Sequence, residues 1–146
     1  MADPAHAPAL AGLASIATWR RRRWSFVLGR ESEHLRSCEA AVDALDEGVC
    51  ADARAIEALR RSLDGRAGKP CESATMRIHA IEALTYRHAR MLERRKMALA
   101  ARDEAREALR ETAARIAGWT EREKTYAGIV ERLAMRREED ADDRDA

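Results

Sequence analysis

The sequence SLDGRAGKPCES, residues 62–73, contains the glycines and the lysine that a phosphate-binding loop would need. Such a loop places four residues between its glycines and ends in Lys followed by Ser or Thr. Here two residues separate Gly65 from Gly68, and a proline follows the lysine. The flanking segments are also expected to be helical, whereas a phosphate-binding loop joins a strand to a helix. The stretch therefore predicts a turn, with Gly65 ending one helix and Ser73 capping the next.

The cysteines and histidines show none of the spacings typical of catalytic or metal sites. No CxxC occurs and no two histidines are four residues apart, although such pairs are common among metal ligands. Cys38 is expected in the core as a small apolar residue, whereas Cys71 lies in the loop without a base to activate it. We therefore expect no catalytic residues, no metal and no cofactor, and we expect that the chain is not an enzyme.

The composition favours long helices in a reducing compartment. Charged residues make up 36% of the chain and aromatic residues 4%, which is typical of coiled coils. Three cysteines without close spacing argue against a disulfide framework. A net charge of +1 gives no overall attraction to nucleic acid or membrane. No apolar run approaches the ~20 residues of a membrane span, and the first arginines follow the N-terminal apolar stretch, unlike a signal peptide. We expect a cytoplasmic protein without direct membrane insertion.

A seven-residue repeat of apolar side chains runs through the first half of the sequence and predicts a coiled-coil seam. One position of the repeat holds Leu28, Leu35, Val42, Val49, Ile56 and Leu63. The interleaved position holds Trp24, Cys38, Leu45 and Leu59, with Glu31 and Asp52 as polar exceptions. The second half is also expected to be helical, with a less regular apolar stripe that drifts around the helix.

Prolines occur at 4, 8 and 70, so helices can run without interruption on both sides of the turn. We predict an all-α fold: a long antiparallel two-helix coiled-coil hairpin forming a single domain over residues 1–146. Its predicted parts are a first helix over about 8–63, a loop over 64–73, a second helix over about 74–138 and a fraying acidic tail over 139–146. The turn would place Trp19 near Trp119 and Ile56 near Ile81, and interior glycines at 29, 118 and 128 would permit close helix approach or bending.

The densest basic patch is TWRRRRWSF, residues 18–26, which carries Arg20, Arg21, Arg22 and Arg23 between two tryptophans. Consecutive helical residues fan around the axis, so at least one of these arginines must lie near the seam. The patch is compatible with contact to an acidic partner or to phosphates and stacked bases, and equally with a solvated helix face. Trp19, Trp119 and Tyr126 are expected at the same end of the hairpin, where an exposed aromatic residue would anchor a partner.

The chain resembles the small cytoplasmic stalk proteins of type III secretion systems, the FliJ/YscO-like group. The resemblance lies in size, hairpin organisation, an Arg/Glu-rich composition and a polar central loop, and it covers nearly the whole chain. Its most suggestive stretches are IHAIEALTYRHARMLERRKMAL, residues 78–99, and EREKTYAGIVERLAMRREE, residues 121–139. The run of four arginines between tryptophans is a departure from the family pattern.

The resemblance implies a non-enzymatic stalk whose paired terminal helix ends enter the central hole of a hexameric secretion ATPase. It implies a second contact with the membrane export gate, and in some members a third with export chaperones, so the protein would lie peripheral to a membrane-bound apparatus. Carried onto this sequence, the gate contact falls near Ile81, Leu84 and His88. The ATPase contact falls on Leu13, Trp19, Arg20, Arg21, Arg22, Arg23, Trp119, Tyr126 and Leu133.

Two other hypotheses remain open from the sequence. One is a coiled-coil scaffold that self-associates or binds other helical partners. The other, which we favour less, is a nucleic-acid-binding rod that acts through Arg20 to Arg23 and would show a steep salt dependence.

Overall fold

A computed structural model describes the backbone of residues 7–64 and 72–145. Two α-helices make up this part of the chain, α1 (Ala7–Asp64) and α2 (Glu72–Asp145), and the described residues include no strand. Side chains of α1 bond to side chains of α2 from residues far apart in sequence. The predicted all-α, two-helix hairpin is therefore confirmed.

The observed bounds of α1 lie within one residue of the predicted 8–63, whereas those of α2 differ at both ends. The second helix begins at Glu72, so Ser73 lies inside the helix and not before it. It also continues to Asp145, through the acidic segment for which fraying was predicted. After residue 128 the sequence contains neither glycine nor proline, so nothing in it breaks the helix. The predicted turn residues Gly65 and Gly68 and the predicted loop residue Cys71 lie outside the described residues.

Contacts divide the chain into two compact units, Met1–Ser32 with Glu107–Ala146, and Glu33–Arg106. We call them the terminal unit and the central unit. The predicted seam lies against α2 in each: its positions are half-buried or buried, from Trp24 and Leu28 in the terminal unit to Leu59 and Leu63 in the central unit. Among the residues whose side chains are described, few are deeply buried, and the apolar ones are Ala17, Val42, Ile56, Ala105 and Leu133. Each unit is therefore held by a narrow apolar seam and not by a thick core.

Polar pairs set the register of the central unit. Arg87 Nε donates to Asp52 at 2.9 Å, and a second nitrogen of the same guanidinium donates to the other carboxylate oxygen. Further pairs follow on both sides, Arg77 with the Ser62 carbonyl, Arg95 with Asp46 and Arg106 with Glu39. From one pair to the next, the residue number decreases in α1 while it increases in α2, so the two helices are antiparallel. Ile56 and Ile81, which were predicted to lie near each other, fall between the Asp52–Arg87 pair and the Ser62–Arg77 pair.

In the terminal unit, the register is visible in four contacts between the helices. Glu123 accepts hydrogen bonds from Thr18 at 2.8 Å and from Arg21 at 2.7 Å. The guanidinium of Arg115 lies 4.7 Å from the ring centroid of Trp24. Arg20 lies over the ring of Trp19 and also over the ring of Trp119. The two tryptophans therefore lie at one level, as the position of the turn predicted.

The close approach of the helices occurs at a glycine that the sequence did not single out. A Cβ atom built on Gly48 would lie 2.1 Å from the terminal methyl carbon of Met91. At Gly29, Gly118 and Gly128, where close approach was predicted, a Cβ atom would meet nothing within 4 Å. Gly48 thus leaves room for the Met91 side chain, and the other three positions have open space.

Replacing the three open glycines by alanine should stabilise the protein. Gly29→Ala, Gly118→Ala and Gly128→Ala each remove a flexible residue from a helix interior, and we expect each to raise the free energy of unfolding by about 0.5–1 kcal/mol. Gly48→Ala should raise the free energy of unfolding by less, since the Met91 side chain must leave its position to make room for the new methyl group. Urea unfolding followed by helical circular dichroism measures all four. An equal or larger gain at Gly48 would contradict the contact with Met91.

Candidate functional site: an arginine–tryptophan ladder

Five side chains of the terminal unit stack alternately as cation and ring. In order they are Arg122, Trp119, Arg20, Trp19 and Arg23, and we call this set the Arg–Trp ladder. The guanidinium carbons lie 4.6 Å (Arg122) and 5.9 Å (Arg20) from the Trp119 ring centroid, and 5.6 Å from that of Trp19 for both Arg20 and Arg23. These are distances at which a cation is attracted to the electron-rich face of an aromatic ring.

Local helix geometry and the register together build the ladder. Arg23 follows Trp19 by four residues and Arg122 follows Trp119 by three, spacings that bring side chains together on one helix face. Arg20 then joins the two helices, because the antiparallel register places Trp119 beside the first turns of the basic run. The sequence signalled Trp19, Trp119, Arg20 and Arg23 as contact residues but missed Arg122, whose only signal was its spacing from Trp119.

The ladder has unused capacity to bind anions. Arg20, Arg23 and Arg122 are exposed and, within the described part of the chain, form no ion pair with a carboxylate. A stacked guanidinium keeps the N–H groups of its edge available, and this edge matches the geometry of a carboxylate or phosphate. Trp19 is 55% exposed, so an apolar surface lies beside these charges. The arrangement suits a partner that presents carboxylates next to apolar groups.

Two other arginines of the basic run are placed differently. Arg21 is the one that lies near the seam, where it forms the ion pair with Glu123. The hydrogen bond from Arg21, followed by the one from Thr18, holds the pKa of the Glu123 carboxyl below its ordinary value. Arg22 is exposed and stacks on neither tryptophan. Of the four predicted contact arginines, Arg21 therefore stabilises the helix pairing, while the other three face solvent.

The remaining residues predicted to bind an ATPase range from exposed to buried. Leu13 is 42% exposed, and Trp119 and Tyr126 are half-buried. Leu133 is only 4% exposed and belongs to the interface between the helices, since it continues the buried face of α2. It offers no surface to a partner in this conformation. Phe26, which the sequence did not single out, is 71% exposed.

The three residues predicted to contact an export gate lie in the central unit. Ile81, Leu84 and His88 are all half-buried, and Nδ1 of His88 is buried without a hydrogen-bond partner among the described residues. The most exposed large apolar side chains near them on α2 are Met76, at 72%, and Tyr86, at 67%. The predicted set thus lies mainly along the helix interface, with more accessible groups on the neighbouring face of α2.

Asp52 and Asp46, which pair with arginines across the helix interface of the central unit, have lowered pKa values. The hydrogen bond from Arg87 is the main cause for Asp52, and the charges of Arg87 and of His88 add to it. The hydrogen bond from Arg95 is the main cause for Asp46. Asp52 is 3% exposed, so its charge depends on Arg87 more than on water. Arg87 itself is largely exposed, with its pKa raised by the same pair.

Folding should become less favourable in acid because of these pairs. Asp46, Asp52 and Glu123 bind fewer protons in the folded than in the unfolded chain, so their contribution is present above the unfolded pKa values near 4 and is lost as pH falls through the lower folded values. We expect Asp52→Asn to lower the urea midpoint clearly at pH 7 and progressively less toward pH 3. Glu57→Gln is the control, since Glu57 pairs within its own helix. If Asp52→Asn lowers the urea midpoint by the same amount at every pH, this interpretation is wrong.

The described residues contain no cluster of three or more His, Cys, Asp or Glu side chains arranged to hold a metal ion. Cys38 is half-buried and Cys50 exposed, both as free thiols. Neither α1 nor α2, over the residues described, has a segment apolar enough to cross a membrane. Comparison of the chain with protein-family models, with curated proteins and with solved structures found no match.

Proposed function

We propose that this chain is a non-enzymatic stalk of a type III protein-secretion apparatus, located at the cytoplasmic side of the membrane. In this proposal the terminal unit enters the central hole of a hexameric secretion ATPase. The central unit contacts the export gate, and export chaperones are possible further partners. The two-helix hairpin and the resemblance of residues 78–99 and 121–139 to the FliJ/YscO-like group support the proposal.

The Arg–Trp ladder is the observation that carries the assignment of the ATPase contact to the terminal unit. Its three exposed guanidinium groups are oriented by stacking, so less side-chain freedom is lost when a carboxylate binds them. Aromatic and arginine side chains are also the residues that most often dominate binding energy in protein interfaces. We assign the contact to Leu13, Trp19, Arg20, Arg22, Arg23, Trp119 and Tyr126. Arg21 and Leu133 hold the helices together.

For the export gate we retain the region of Ile81, Leu84 and His88, as the resemblance implies. In the structure these side chains are half-buried, so Met76 and Tyr86 are the nearby apolar groups with most surface to offer. Export of proteins also needs nucleotide hydrolysis, which in this proposal is the ATPase's own chemistry. The stalk contributes contacts to the ring and to the gate.

Capture of the ATPase by the full-length protein tests the proposal. Tagged protein is retrieved from native lysate, and the recovered hexameric ATPase is then purified and titrated with the stalk while ATP hydrolysis is followed. We expect Arg20→Glu with Arg23→Glu to weaken ATPase binding at least about tenfold, because two guanidinium groups of the ladder are replaced by repelling carboxylates.

The matched control is Arg54→Glu with Arg60→Glu, since these arginines are also exposed and lie in the central unit. This control should bind the ATPase as the unchanged protein does. Equal loss in both double variants would show that binding depends on general charge and not on the ladder. Recovery of unrelated helical proteins without an ATPase would favour the scaffold hypothesis, and recovery of nucleic acid in a salt-sensitive manner would favour the nucleic-acid hypothesis.

A further inference from the structure

A second heptad seam runs along α1 on the side away from α2. Gly12, Ile16, Trp19, Arg23, Phe26 and Arg30 follow one another at alternating spacings of three and four residues, the pattern by which one helix packs against another. Each of these positions is offset by two residues from a position of the seam that faces α2, for example Phe26 from Trp24 and Arg30 from Leu28. An offset of two residues is about 200° around a helix. The second seam therefore lies opposite the first.

No described residue of α2 covers this second seam. Ile16 is 52% exposed, Trp19 55% and Phe26 71%, and Arg23 and Arg30 are exposed as well. Large apolar side chains that share one exposed helix face are typical of an interaction site. Ile16 and Phe26 are ten residues apart, about 15 Å along the helix, which is the length of nearly three helical turns. The length and the periodicity fit a helix lying alongside α1.

The charge of this segment is entirely positive. Residues 7–30 contain five arginines and no aspartate or glutamate. Arg23 is held over Trp19 by cation–π stacking. Arg30 follows Arg23 by seven residues and so occupies the same position of the next heptad. Both occur in line with the apolar side chains and not beside them. A partner must therefore place carboxylates opposite two seam positions and apolar groups opposite the others.

We propose that the second seam of α1 binds an amphipathic α-helix of a partner protein with acidic residues on its contact face, which packs on α1 as a third helix. The inference deepens the proposed function, because it rests on that function for the class of partner and shares Trp19 and Arg23 with the ladder. Ile16, Phe26 and Arg30 are specific to it. These three residues extend the contact beyond the ladder along α1.

Charge and spacing favour such a helix over other occupants. Pairing the seam with a second copy of itself would bring arginines together without any acidic residue between positions 7 and 30 to compensate. A face that lies on a membrane surface carries its basic residues beside the apolar stripe, whereas Arg23 and Arg30 interrupt the stripe itself. A nucleic acid would use the arginines and Trp19 but has no need of Ile16 or Phe26 at heptad spacing.

The test uses the full chain and a labelled synthetic helical peptide of about three heptads, with Leu at the two apolar positions of each heptad and Glu at the flanking ones. Fluorescence anisotropy should detect binding of this peptide, and the same peptide with Lys in place of Glu should bind at least about tenfold more weakly. Phe26→Ser should weaken binding of the Glu peptide at least about tenfold, and rising salt should weaken it further.

Tyr86→Ser is the matched control, because Tyr86 is 67% exposed, aromatic and located in the central unit. It should leave peptide binding unchanged. The proposal is overturned if the Lys peptide binds equally well, if neither peptide binds, or if Tyr86→Ser and Phe26→Ser have the same effect. It is also overturned if Phe26 is needed instead for dimer formation in sedimentation equilibrium, for binding to single-stranded DNA, or for binding to phosphatidylserine vesicles.

A further pair of variants separates this inference from the proposed function. Arg122→Glu alters the ladder on α2 and leaves the second seam intact, whereas Phe26→Ser does the reverse. If the unchanged protein captures no secretion ATPase, and Arg122→Glu still binds the Glu peptide, the helix-binding seam is supported and the stalk function is rejected. ATPase binding that survives Phe26→Ser, together with no binding of the Glu peptide by the unchanged protein, would support the stalk function and reject the helix-binding seam.

Discussion

The pairing of the central unit depends on a buried carboxylate. A seam of Leu, Val and Ala side chains can slide by one heptad with little change in the apolar area that it buries, so it specifies register weakly. Asp52 cannot slide in this way, because its charge at 3% exposure needs the two hydrogen bonds from Arg87. Displacement would leave a buried charge without its partner, which is costly. The other polar pairs, Asp46 with Arg95 and Glu39 with Arg106, reinforce the same alignment.

A narrow seam also explains why so much chemistry remains at the surface of the terminal unit. Two helices cover only one face of each other, so the aromatic residues of a helix with two heptad seams cannot all be buried. Trp24 belongs to the seam that faces α2 and contacts Arg115, whereas Trp19 and Phe26 lie on the second seam. Stacking with arginines shields part of Trp19 while keeping the guanidinium edges accessible. The same residues thus contribute to local order and to the capacity for binding.

Much of this arrangement was predictable from the sequence. Heptad spacing identified the seam that faces α2, and the glycines and the proline of residues 65–70 predicted the turn. The antiparallel pairing expected from that turn placed Trp19 at the level of Trp119. Contacts that depend on side-chain shape were not predictable: Gly48 makes room for Met91, while the glycines chosen from the sequence face open space. Leu133 and Arg21 looked like surface candidates because composition does not reveal which flank of a helix is covered. Arg122 was missed because its role depends on a ring in the preceding turn.

The uneven distribution of charge has a kinetic consequence. The chain as a whole carries a net charge of only +1, yet every acidic residue except Asp3 follows residue 30. An approaching acidic protein therefore meets an attractive potential along residues 20–30 of α1, where every charged side chain is an arginine. Local fields of this kind raise the rate of productive encounters and orient the partner before contact, and they weaken with ionic strength. A nearly neutral protein can in this way speed its association with an acidic partner, while avoiding the indiscriminate binding that a large overall charge would bring.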